Sequence, residues 1–331
     1  MSGLSLGLLV ALALVLAAEF VNGWTDAPNA IATVVSTNVM TPRQAIVMAV
    51  VMNTIGAMSG TAVAATVGTG IVAPSALTVP AITATMIAII GWGVVAARLG
   101  IPVSKSHALL AGLAGAGLAG GGFAALQWGG WMKVAIGLGC SLVLGLGAAF
   151  ALARLIVVFA ADAQPTRAKR TFDRLQMASA GFMAFNHGLN DGQKFMGVFA
   201  MTLLAGGAIS DFHIPWWVIG LCAGTMGIGT SFGGWRIIRT VGSKMSRLTT
   251  WQGFAATMTA SATIFGASHY GVPLSTTHTI TSSVVGVAAS RRLSDVRWTV
   301  LGRIVSAWLA TFPACALLAY LAAHIANYLS R

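Results

Sequence analysis

Residues 4–36 read LSLGLLVALALVLAAEFVNGWTDAPNAIATVVS, an apolar run that carries Glu19, Asp26, Pro28 and Asn29 inside it. About 20 apolar residues cross the hydrocarbon core of a bilayer, so this run crosses a membrane with length to spare. Ala17-Ala18 resembles a cleavage site, but no positive stretch precedes the run, so it reads as a first span and not as a signal peptide. Its polar middle predicts a break near Pro28 that frees backbone carbonyls.

The remaining chain has the same character. Of 331 residues, 56% are hydrophobic and only 8% charged, and the mean hydropathy is +0.83. A soluble domain carries about 25% charged residues, so a cytosolic enzyme, a nucleic-acid binder and a disordered chain are excluded. Long continuous apolar stretches favour helices over barrel strands. The class is an all-α polytopic membrane protein. Ten segments can be drawn: 4–36, 44–68, 81–98, 103–122, 131–159, 176–205, 215–235, 250–270, 273–290 and 299–327. The first and sixth are overlong and are predicted to be broken. Segments 103–122 and 273–290 are short enough to re-enter instead of spanning.

The net charge of +12 does not point to nucleic acid, because the basic residues gather at segment ends. Fourteen of the nineteen, from Arg43 to Arg297, fall in alternate gaps. The positive-inside rule makes those gaps cytoplasmic and both termini external. The longest polar gap, AADAQPTRAKRTFDRL, holds Pro165 and a basic cluster. It divides the chain into 1–160, a basic cytoplasmic connector 161–175, and 176–331.

The two halves repeat each other. Asn22-Gly23-Trp24-Thr25-Asp26 aligns with His187-Gly188-Leu189-Asn190-Asp191, and Pro102-Val103-Ser104-Lys105-Ser106-His107 aligns with Pro273-Leu274-Ser275-Thr276-Thr277-His278. Each half has five segments, an odd number, so the second half enters from the opposite face. That is the inverted-topology repeat of many secondary transporters.

Asp26 and Asp191 are ionisable groups deep in apolar segments, which usually pair or line an ion path. Asn29, Asn190 and Lys194 lie close to them in sequence. Each Pro-x-Ser-x-(Ser/Thr)-His motif predicts a capped helix start with free N–H groups, a setting that binds anions. Ser104, Ser106, Ser275, Thr276 and Thr277 would supply hydroxyls to one tetrahedral oxyanion. His107 and His278 either relay protons or shape the turn, and Glu19 belongs either to the same path or to the outer interface. Cys140, Cys222 and Cys315 lie far apart and form no metal or redox motif. No metal site, cofactor or hydrolase motif is expected, and the chain is not read as an enzyme.

These paired motifs resemble the inorganic phosphate transporter family, over essentially the whole chain. The resemblance implies a phosphate symporter of a bacterial inner membrane, coupled to protons or sodium. A sulfate transporter of the same family is the alternative, and the anion travels free or as a metal complex. A homodimer is compatible with it. Three departures stand out: Thr25 in place of Asn, Lys194 in place of Asn, and Lys105 inside the first anion motif. The Asn190–Lys194 run is similar to the low-affinity, proton-coupled branch. Lys194, one helical turn after Asp191, is expected to neutralise it in place of sodium. Asp26, with no lysine at the matching position, is expected to stay free to carry a proton.

Overall fold

The computed structural model describes residues 5–329; the four residues before and the two after lie outside them, as do the outermost ends of the first and last sequence units. The described residues form thirteen α-helices joined by loops and short 3-10 and π-helical turns, with no strand among them. They are α1 Leu6–Ser36, α2 Pro42–Met58, α3 Ala62–Thr69, α4 Val79–Leu99, α5 Lys105–Gly121, α6 Trp128–Phe159 and α7 Pro165–His187, then α8 Gln193–Ala205, α9 Trp216–Ser231, α10 Trp235–Arg239, α11 Thr250–His269, α12 Thr276–Arg291 and α13 Trp298–Leu329. Five of these helices are long and apolar enough to cross a membrane, or six if bent α2 and α3 make one span. The basic run expected as connector is already helical, forming the first turns of α7.

Packing follows the inverted repeat. In the first half α1 packs on α4, and in the second α7 packs on α11. Between halves, α1 packs on α9 while α7 and α8 pack on α2 and α3. Helices α5 and α13 pair, as do α12 and α6. Each contact has its counterpart with the halves exchanged. The long outer helices α6 and α13 expose Leu142, Val143, Phe150, Leu309 and Leu317, side chains suited to lipid.

The expected breaks are elsewhere. Helix α1 runs unbroken through Pro28, although an interior proline leaves the carbonyl four residues back without its helical donor. The Trp24 carbonyl that loses it accepts instead from the Gly234 N–H at 3.1 Å. The sixth segment is continuous too, with a π-helical turn at Gly188–Gly192 between α7 and α8. The real breaks fall in the second segment, where α2 and α3 meet at 68°, and in the seventh, between α9 and α10 around Gly233 (φ +59°). Each break lies against the central helix of the other half: Val63 N–H donates to the Gln193 side chain at 2.9 Å, as Gly234 does to Trp24.

Two glycines allow this close crossing. A Cβ on Gly23 would strike the backbone of Met226 in α9, and one on Gly188 the backbone of Asn53 in α2. Small residues at such crossings let helices in lipid approach closely. Gly188→Ala is therefore expected to cost about 1–3 kcal/mol, the usual penalty of overpacking, read as a lower unfolding temperature in detergent. An unchanged temperature would mean that the crossing is slack.

Candidate functional site

The two anion-motif helix starts are built alike. The Ser104 hydroxyl oxygen accepts from His107 N–H at 3.1 Å, and that of Ser275 from His278 N–H at 3.2 Å. Each cap takes the third amide of its helix. The first two N–H groups of each helix, on Lys105, Ser106, Thr276 and Thr277, have no intrahelical acceptor. They carry the positive end of the helix dipole. The starts meet: the Ser106 hydroxyl donates to the Leu274 carbonyl at 3.1 Å.

Around them the two aspartates are buried, Asp26 from α1 and Asp191 from the π-turn. Thr276 donates to Asp191 Oδ2 at 2.7 Å, and the Thr277 hydroxyl lies 3.5 Å from Asp26 Oδ2. The Asn29 amide donates to Thr277 Oγ1 at 3.0 Å and reaches Thr276 Oγ1 at 3.4 Å. Lys194 spends all three donors, on Asp191 Oδ1, on Ser106 Oγ at 2.5 Å and on the Leu274 carbonyl at 2.6 Å. It is fully buried and does not snorkel to an interface.

Asp26 is not free of a lysine. Lys105 Nζ lies 3.4 Å from Asp26 Oδ1, with both groups buried. The expectation of a lone, exchangeable Asp26 is therefore corrected. The partner comes from 79 residues away, on the first turn of α5. In the repeat alignment Lys105 corresponds to Thr276, and Lys194 corresponds to Asn29. Each carboxylate thus receives one ammonium, but from non-equivalent positions. Lys105 makes one contact where Lys194 makes three, so two of its donors are uncommitted among the described residues.

The other candidates separate. Asn190 neighbours Asp191 but turns away, donating to Ser268 Oγ at 2.8 Å and to the Val272 carbonyl at 3.2 Å. His107 and His278 lie ring against ring, with centroids 4.6 Å apart, and His278 packs on Trp308 at 3.7 Å. They line an apolar cavity of about 420 Å³, and neither contacts a carboxylate among the described residues. His187 also sits in the site: Nδ1 is 3.1 Å from Asn53 Oδ1, and Nε2 is 3.2 Å from Asp191 Oδ2, off hydrogen-bonding alignment. Ligand atoms of Asp26, His187 and Asp191 lie within 4.8 Å of one another, a spacing that suits a cation; the lysine ammoniums already supply that charge.

The duplicated arrangement is matched in known proteins. A profile described as "Phosphate transporter family" matches residues 22–166 and again 157–319. The chain belongs to the phosphate transporter family. A "Probable low-affinity inorganic phosphate transporter" of Rhizobium meliloti is 42% identical over 309 residues, 92% of this chain and 91% of that one. One of the same name from Bacillus subtilis is 39% identical, covering 94% and 95%. A solved structure titled "The sodium-dependent phosphate transporter" superposes with a TM-score of 0.88 at 24% identity, over 98% of this chain and all of its own; that likeness concerns the fold. Members of this family are transporters, not enzymes.

The capping serines and the threonines beside the aspartates separate in one experiment. Ser275→Ala is expected to cost about 0.5–2 kcal/mol of stability through the lost cap. Thr276→Val keeps the shape but loses a bond to a charged group, worth about 1.5–3 kcal/mol, and is expected to weaken phosphate uptake at least about tenfold. Thermal unfolding and uptake kinetics in parallel check the split. Equal effects of the two variants on affinity would contradict it.

Proposed function

We propose that this protein is a secondary active symporter that carries inorganic phosphate into the cell with protons as the coupling ion. The observation that carries the reading is the convergence of two helix starts on two carboxylates that each already hold a tethered ammonium. Four amides and the spare donors of Lys105 offer a binding surface for an anion. Asp26 and Asp191 lie beside the motif hydroxyls. They can accept the P–OH proton of monohydrogen phosphate, which sulfate lacks near neutral pH, and this favours phosphate over sulfate. With Lys105 and Lys194 in place, a dissociable sodium has no unmatched carboxylate to join at either aspartate.

The basic loops would face the cytoplasm and both termini the exterior of a bacterial inner membrane, and units 1–160 and 176–331 would rock about the shared site. The test is uptake of radiolabelled phosphate into proteoliposomes under separately imposed proton and sodium gradients, with sulfate as competitor and with and without magnesium. Accumulation on a proton gradient alone is expected. Uptake driven by sodium and indifferent to protons would overturn the coupling assignment. Equal competition by sulfate would overturn the substrate.

A further inference from the structure

Glu19 is the only glutamate in the chain, and it is fully buried. It lies on α1 seven residues before Asp26, two helical turns, and so on the same face. A rise of 1.5 Å per residue puts it about 10 Å nearer the N-terminal end. Its Oε2 accepts from the Asn22 amide at 3.2 Å. Among the described residues its Oε1 has no hydrogen-bond partner, and neither has Oδ1 of the same Asn22.

The charged groups around it are otherwise engaged. Lys194 from α8 and Asp191 from the π-turn are within electrostatic reach, as is Asp26 on its own helix, and α9 presents Cys222. Lys194 is spent on Asp191, Lys105 from α5 on Asp26, and His187 from α7 lies against Asp191. No cation lies within ion-pairing distance of Glu19 among the described residues. Two neighbouring side chains therefore hold two orphaned acceptors and lack one donor. A single proton on the Glu19 carboxylate supplies a donor that the pair lacks. An ionised group there leaves both oxygens unmatched in a water-excluded interior, which is unfavourable.

Resting on the proton-symport reading above, we propose that Glu19 is the residue that carries the coupling proton. The proton arrives from water on one side, binds the Glu19 carboxylate, and is returned to water on the other side; no covalent bond forms or breaks. The linkage to phosphate is electrostatic. The two Asp–Lys pairs are neutral, so an ionised Glu19 is the uncompensated negative charge that an incoming anion meets. At about 10 Å and interior screening, one unit charge weakens binding of another by roughly tenfold. Protonating Glu19 removes that penalty, and by reciprocity bound phosphate favours the proton.

The experiment compares purified wild type and Glu19→Gln, an isosteric mimic of the protonated acid, in proteoliposomes. Expected for Glu19→Gln is phosphate counterflow at equal pH on both sides, no accumulation on a proton gradient, and phosphate binding that no longer strengthens roughly tenfold as pH falls. Gradient-driven accumulation equal to wild type, or unchanged pH dependence of binding, overturns the proposal. So does loss of counterflow with an unchanged unfolding temperature, which would make Glu19 part of the anion path. If the variant does not fold, the wild type itself answers. Labelling with ¹³C-glutamate marks Glu19 alone, and pH-jump infrared difference spectra should show its protonated carbonyl band shifting with the label; absence of that band overturns the proposal. A wild type that accumulates phosphate only on sodium fails the symport reading instead, a result the infrared measurement keeps separate.

Discussion

Lys194→Met is expected to abolish phosphate uptake and to lower stability by about 3–5 kcal/mol, the cost of stranding one partner of a buried ion pair. Lys194 is buried and spends its donors on Asp191, Ser106 and the Leu274 carbonyl. Methionine fills similar space but satisfies none of them. Asp191 would keep Thr276 at 2.7 Å but lose its ammonium. The double variant Asp191→Asn/Lys194→Met removes both charges, so most of the stability should return while transport does not. Unfolding temperatures in detergent and counterflow in proteoliposomes separate these outcomes. A single variant as stable as wild type would mean that the pair is not a structural element of the site.

That pair was legible in the sequence because helix periodicity puts residues three apart on one face. The duplicated aspartates and capped helix starts were legible for a similar reason: each motif is a local pattern with local physics. The structure brings both copies together. What could not be read was pairing across the fold. Lys105 and Asp26 are 79 residues apart, and nothing local joins them. Helix periodicity reports only the partners on Asp26's own turn, where there is no lysine. Asn190 shows the limit of adjacency, since neighbours on a helix point about 100° apart and it turns to Ser268. A proline inside an apolar run signals a break, yet α1 runs through Pro28. One missing N–H is tolerable when Gly234 of the other half replaces it. The burial of Glu19 depends on which helices surround α1, and no sequence period reports that.

The lysines occupy non-equivalent repeat positions, and exchanging each for the residue at its counterpart is expected to make the protein depend on sodium. Lys105→Thr copies Thr276, and Lys194→Asn copies Asn29. The double variant leaves Asp26 and Asp191 buried with oxygen donors around them and no tethered cation. Asparagine and threonine offer oxygens where an ammonium offered only donors, and the ligand atoms of Asp26, His187 and Asp191 already lie within 4.8 Å. A mobile cation can then enter where a fixed one stood. Any ion that binds the folded state alone stabilises it by mass action, about 2.7 kcal/mol at a hundred times its dissociation constant. Sodium chloride should therefore raise the unfolding temperature of the double variant but not of the wild type, and choline chloride of equal strength should do neither. Phosphate counterflow by the variant should need sodium as well. A rise of the same size with choline, or in the wild type, would show that the salt acts by general screening and that the two lysines do not stand in for a coupling ion.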